Sequence, residues 1–239
     1  MKKIGFINAR GNRFPVQMWA AYPAVALPEE IYSYHEEFIA RPDMSATPDD
    51  AAWLASIVDA GVDNAEVIAV EDGVVGGVLL CTTNNAINDE NALQLNGEQF
   101  MLAASKKLWY ETMVKMDDVT KADVLVGLHI SDTEPFAAVT HGVYFRRLHT
   151  GNLIAVTENA ATETLVDTGI LPVNLTFNRL GFYFNGAGYV FFYVDGVLVG
   201  ESHTNIPAAQ TISPGYAVKT SEAVVHSLYL DYIKAAQLR

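Results

Sequence analysis

The chain is short of three things. It has one cysteine, Cys81, in 239 residues, so neither an intrachain disulfide nor a cysteine-based metal site can form. Cys81 ends the run Gly77-Val-Leu-Leu-Cys81 and reads as a buried strand thiol. Cations are scarce, 15 Lys and Arg against 28 Asp and Glu. The resulting net charge of −13 argues against nucleic acid as a partner, because phosphate neutralisation needs clustered bases. Long apolar runs are missing too. Stretches such as Val190 to Val194 stop at once, here at Asp195-Gly196, well below the roughly 18 residues of a membrane helix. Asn8, Arg10, Asn12 and Arg13 interrupt any signal-peptide apolar region. The protein is therefore expected to be made and retained in a cytoplasm, with no membrane partner.

What is present is core-forming material. Half of the residues are hydrophobic and 18% are charged, which excludes global disorder. The charge is also unevenly placed. Lys2, Lys3, Arg10 and Arg13 precede the first acid, Glu29, while no base occurs between Arg41 and Lys106. A basic arm thus precedes an acidic body.

Residues 1–35 have no sustained period. Phe14-Pro15, Tyr22-Pro23 and Leu27-Pro28 force extended or turn backbone before each proline. Together with Trp19, Val25 and Leu27 they make an apolar ribbon that cannot build its own core, so it should lie on another surface. That surface is either the chain's own body or a neighbouring subunit. We expect a docking arm, with Lys2, Lys3, Arg10, Arg13, Phe14, Trp19, Tyr22, Val25 and Leu27 as its contacts. Deleting it should leave the body folded.

Residues 36–63 read as a connecting segment with one short helix. Thr47 is placed to cap it, Pro48 to open it, Trp53, Leu54, Ile57 and Val58 to line one face, and Gly61 to end it. From residue 64 to 239 the pattern is β. Val67–Val70 and Val78–Thr82 flank Glu71-Asp72-Gly73 as a hairpin. Leu108 to Lys115 alternates polar with apolar. Many short strands separated by Asn-Gly, Asp-Gly and Pro-Gly signals indicate an all-β, two-sheet antiparallel sandwich.

Three stretches resemble the concanavalin A-like (laminarinase and LamG-type) jelly roll. They are Asn91–Leu95 followed by Lys107–Lys115, the Asp-Gly hairpin of Tyr189–Val199, and the closing strand Leu228–Ala236. Trp109-Tyr-Glu, Asp123-Val-Leu-Val-Gly-Leu and that closing strand are similar to sandwich proteins of tailed-phage virions. The resemblance implies a jelly roll and a structural role on a virion, with the major capsid protein or another virion protein as partner.

Catalytic patterns are harder to find. A retaining glycosidase on this fold needs carboxylates on one face of one strand, with the acid and nucleophile about 5 Å apart. Glu66 and Glu71 fall on opposite strand faces, and the positions two and four after Glu111 are Met113 and Lys115. The six histidines are scattered, although His129 and His141 flank one loop and could meet. Asn85, Asn88, Asp89 and Glu90 concentrate oxygen ligands in one loop, a weak calcium candidate that ordinary Asx turns explain as well. No other cofactor is indicated.

The hairpin of Phe182–Phe184 and Tyr189–Val194 is apolar on both faces, where a strand facing water should alternate with polar residues. Tyr183, Tyr189, Phe191 and Tyr193 therefore mark a covered face, an oligomer contact (a dimer or trimer) or a platform for stacking sugars. The leading expectation is a non-enzymatic virion protein, a head decoration (cement) protein. The alternatives are a carbohydrate-binding or receptor-binding module and, more remotely, a glycoside hydrolase.

Overall fold

A computed structural model describes residues 18–19, 22, 29–46, 51–58 and 67–239. Of the expected arm, Lys2, Lys3, Arg10, Arg13, Phe14, Val25 and Leu27 lie outside the described residues, as do the expected helix start at 47–50 and stop at Gly61.

The described residues form seventeen strands and one helical turn. One sheet has eight strands: β1 (Ile31–Glu36), β4 (Val67–Val70), β5 (Leu79–Thr82), β8 (Leu108–Met116), β13 (Asn178–Phe184), β14 (Val190–Val194), β15 (Val197–Ser202) and β17 (Ser227–Leu238). Its order is β15-β14-β13-β8-β17-β5-β4, with β1 pairing the second half of β17. The other has nine: β2 (Met44–Ser45), β3 (Trp53–Val58), β6 (Glu90–Leu95), β7 (Phe100–Met101), β9 (Ala122–His129), β10 (Gly142–Arg147), β11 (Ile154–Asn159), β12 (Thr162–Asp167) and β16 (Thr211–Thr220). They run β12-β11-β10-β9-β16-β6-β3-β2, with β7 also on β16. Every pairing is antiparallel except β2 with β3.

The inner faces interdigitate, with Leu108, Tyr110, Val126, Phe145, Phe182, Phe192, Tyr216 and Ile233 fully buried between the sheets. Phe182 and Phe192 are cross-strand partners, and Phe182 also stacks on Tyr110. This is the sheet version of core packing, where directly opposed apolar pairs supply the stabilisation. At Gly127 the backbone of β10 comes so close that a Cβ would collide with Tyr144 Cα, so only glycine fits there.

Two expectations change. The segment expected as a helix around Trp53 is strand β3, paired with β6 from Trp53↔Leu95 to Val58↔Glu90. Trp53, Leu54, Ile57 and Val58 fit either period over so short a span, and an open edge on β6 decided the matter. The helical turn is instead α1 (Pro135–Ala138). Likewise β1, β2 and β3 are sheet members, so residues assigned to arm and connector supply three strands. Pairing of Ile31–Glu36 with Ile233–Leu238 makes β1 part of the folded body.

Candidate functional site

The outer faces of the two sheets carry different chemistry. On the eight-stranded sheet the outward residues of β8, β13 and β14 include a row of aromatics. Tyr189, Phe191, Tyr183 and Trp109 form a stacked row with centroid spacings of 6.3, 6.2 and 5.5 Å. Trp19 extends the row by stacking on Trp109 at 6.3 Å and 13°. The chain's own N-terminal residues therefore cover the Trp109 end of this face. The Trp109 indole donates to the Met18 carbonyl at 3.0 Å, and Tyr22 meets both tryptophans edge-on. Met18 sits on Gly181, where a Cβ would crowd its sulfur.

Beneath Trp19 lies a buried polar knot. Glu111 is fully buried and accepts from Trp19 Nε1 at 3.1 Å and from the Tyr232 hydroxyl at 2.8 Å. Lys234, its cross-strand partner, places Nζ 4.4 Å from the Trp19 ring centre. Burial holds the Lys234 ammonium below its usual range, and Glu111 opposes that shift. Trp19 and Tyr22, expected as contacts to a partner, thus lie on the protein's own sheet. Of the expected patch of Tyr183, Tyr189, Phe191 and Tyr193, one residue is buried, and Tyr183 and Phe191 are half-buried. Tyr193 is 6% exposed, whereas Tyr189 stays 40% exposed and packs on His203.

The outer face of the nine-stranded sheet carries a groove crossed by residues 131–141, including α1. On one side is a cleft of about 480 Å³ bordered by Pro135, Thr140, Tyr144, Arg146, Glu158 and Glu163. On the other is a cleft of about 590 Å³ bordered by Leu54, Ser56, Gln94, His129, Asp132 and Pro135.

The first cleft contains an arrangement that a search along single strands could not find. Glu158 and Glu163 are cross-strand partners on β11 and β12. The Tyr144 hydroxyl bridges them at 2.7 and 3.0 Å. Arg146, two residues along β10, donates bidentately to Glu163 at 2.5 and 2.9 Å. Burial raises the Glu158 carboxyl, with Glu163 adding to the effect. Partial burial would raise Glu163 as well, but the Arg146 bond and charge bring it below the usual carboxylate range. Two carboxylates with opposed shifts are the raw material of acid–base chemistry. Here one of them is occupied by a guanidinium.

The second cleft holds His129 and Gln94. His129 is fully buried, Nδ1 lies 2.8 Å from the Ile130 carbonyl, and burial lowers its pKa to about 4. His141 contacts Thr140 instead, at 3.0 Å, so the two loop histidines do not form a pair. The weak calcium set is not gathered either. Asp89 accepts the Ala86 N–H at 2.6 Å, three residues back along the same loop, while Glu90 lies under the 131–141 segment. Cys81 is buried, and burial raises its thiol pKa, so it is no nucleophile.

No family model matches the chain, and a search of curated proteins finds no match. Solved structures do match. An endo-1,3-beta-glucanase from Streptomyces sioyaensis superposes with a TM-score of 0.59 at 13% identity, over 90% of this chain and 99% of that one. The fold is a concanavalin A-like jelly roll. The carbohydrate recognition domain of Emp46p, potassium-bound, gives 0.54 at 9% identity, over 77% and 88%. A protein of unknown function from Shewanella oneidensis MR-1 gives 0.59 at 11% identity, over 99% and 97%. Such identities carry the jelly roll and no activity with it.

Proposed function

We propose that this jelly roll is a non-enzymatic structural protein of a virion, a head decoration protein that binds through a flank of its sandwich. The observation that carries the binding half is a concentration of exposed aliphatic side chains. Leu165 on β12, Val197 and Leu198 on β15, and Leu171, Val173 and Leu175 in the connection from β12 to β13 are all strongly exposed. β12 and β15 are the edge strands of their sheets and touch one another. Unpaired edges beside apolar side chains are the usual makings of an interface. The virion half rests on the sequence resemblance in β8, β9 and β17. Replacing Leu171, Val173 and Leu175 together with serine should abolish self-association in sedimentation and lower occupancy on stripped phage heads. Unchanged sedimentation and occupancy would overturn the reading.

A second reading, a carbohydrate-binding module, is supported by the open cleft around Tyr144, Arg146, Glu158 and Glu163. A glycan array and tryptophan quenching test it, and hydrolysis of β-glucans tests the enzymatic version. The internal Arg146–Glu163 pairing weighs against the latter, because it removes one carboxylate from service.

A further inference from the structure

We propose that residues 131–141 are a lid closing one continuous groove on the outer face of the nine-stranded sheet, and that ionisation of Glu90 beneath them releases it. The lid crosses the sheet between the two clefts, and Pro135 walls both. Its regular structure is one four-residue turn with no side-chain cap, so it has almost no stability of its own. Phe136 and Val139 hold it down by packing on Ala92, Leu125, Tyr144, Val156 and Ala217. The remaining ties are few. Ser56 donates to the Thr133 carbonyl at 2.6 Å, Gln94 accepts the Asp132 N–H at 3.2 Å, and Thr140 accepts the Ala161 N–H at 2.9 Å, while at the two ends Glu98 accepts the Ser131 N–H at 2.8 Å and the His141 carbonyl accepts the Ile130 N–H at 3.0 Å.

Glu90 is the anomalous member of this contact. It lies on β6 opposite Lys219 of β16 and Val58 of β3, and is 2% exposed. Its carboxyl takes a hydrogen bond from the Phe136 backbone, yet Oε1 is buried without a partner. A buried carboxylate short of donors is costly, and the neutral acid much less so. The charged groups facing it are the Lys219 ammonium, which favours ionisation, and Asp132 and Glu134 of the lid, which oppose it. Burial is the largest influence and brings the carboxyl up to about 7.

The direction follows from linkage. With the lid shut Glu90 prefers to be neutral, and with the lid raised it regains water and an ordinary carboxylate pKa of about 4.5. Closure is therefore strongest below that value, weakens as pH rises to about 7, and is constant above. One pKa unit corresponds to tenfold in the equilibrium, so opening should increase on the order of a hundredfold across the window. Ionised Glu90 and the two lid acids would then repel one another. Opening joins the clefts and bares the floor of Ala92, Leu125, Tyr144, Val156 and Ala217.

Hydrogen exchange of the full chain between pH 4.5 and 8, corrected for intrinsic exchange and referenced to β8, tests this. Protection of 131–141 should fall about a hundredfold relative to β8 and level off above pH 7. Glu90→Gln should keep the lid protected throughout. Should that variant not fold, Lys219→Met should move the plateau to higher pH by removing the cation that favours ionisation. Protection independent of pH in the native chain overturns the proposal. So does an unaltered pH dependence in Glu90→Gln or, in its absence, in Lys219→Met.

Discussion

The indole N–H of Trp19 donates to the buried carboxylate of Glu111 at 3.1 Å, joining positions 92 residues apart. That bond seats the N-terminal residues on the outer sheet. Without it, Glu111 would keep Tyr232 as its donor but would lose its cover.

Trp19→Ala should therefore cost about 2–4 kcal/mol, combining the lost stacking on Trp109, the lost Lys234 contact and a weakened Glu111 environment. Urea unfolding measures it. Trp19→Phe should recover the packing part only. A loss below about 0.5 kcal/mol for Trp19→Ala would mean the cover contributes nothing.

Removing residues 1–36 should unfold or strongly destabilise the body, contrary to what the sequence pattern alone suggests. Six residue pairs between β1 and β17 disappear, and with them the buried Ile31 side chain. Removing residues 1–17 instead leaves Met18, Trp19, Tyr22 and β1 in place. A body lacking β1 that melted at the native temperature would refute this.

His129 provides a pH signature of opposite sign to Glu90. Its folded pKa of about 4 lies below the ordinary 6.5, so the unfolded chain binds the extra proton between those values. Its contribution to stability is complete above about pH 6.5 and declines as pH falls toward 4. The difference in unfolding free energy between native and His129→Gln proteins should show this slope, with a span of at most about 3 kcal/mol. A difference flat in pH would exclude it.

Ala160 and Ala161 turn the β11–β12 hairpin at φ of +51° and +59°, a left-handed backbone that suits Asn-Gly far better than alanine. Ala161→Gly keeps the N–H that binds Thr140 and relieves one of the two. It should raise stability by about 0.5–1 kcal/mol, roughly 1–4 °C in melting temperature for a domain of this size. An unchanged or lowered melting temperature would show that Thr140 already compensates for the strain.

Much of the β body could be read from residue order. Val67–Val70 is the expected strand, and the Asp195-Gly196 turn joins β14 to β15 as its signal required. β16 was obscured by Pro214-Gly215, which looks like a turn. In the fold it falls where β16 changes neighbour from β7 to β6, so the ladder is interrupted on that side, while the pairing with β9 runs through it. β12, with Thr162, Glu163, Thr164 and Asp167, is too polar to announce itself and forms as an edge on β11.

The sequence by itself determined that the chain is a two-sheet sandwich with a doubly apolar hairpin, because alternation and turn residues act over a few positions. Tertiary structure alone decided what covers that hairpin and which acids meet. Trp19 reaches Glu111, and Glu158 faces Glu163 across Tyr144, through strand pairing and sheet curvature rather than proximity along the chain. The Trp53 segment marks the boundary between the two. Its local pattern fits helix and strand alike, and only the hydrogen-bonding edge of β6 made it a strand.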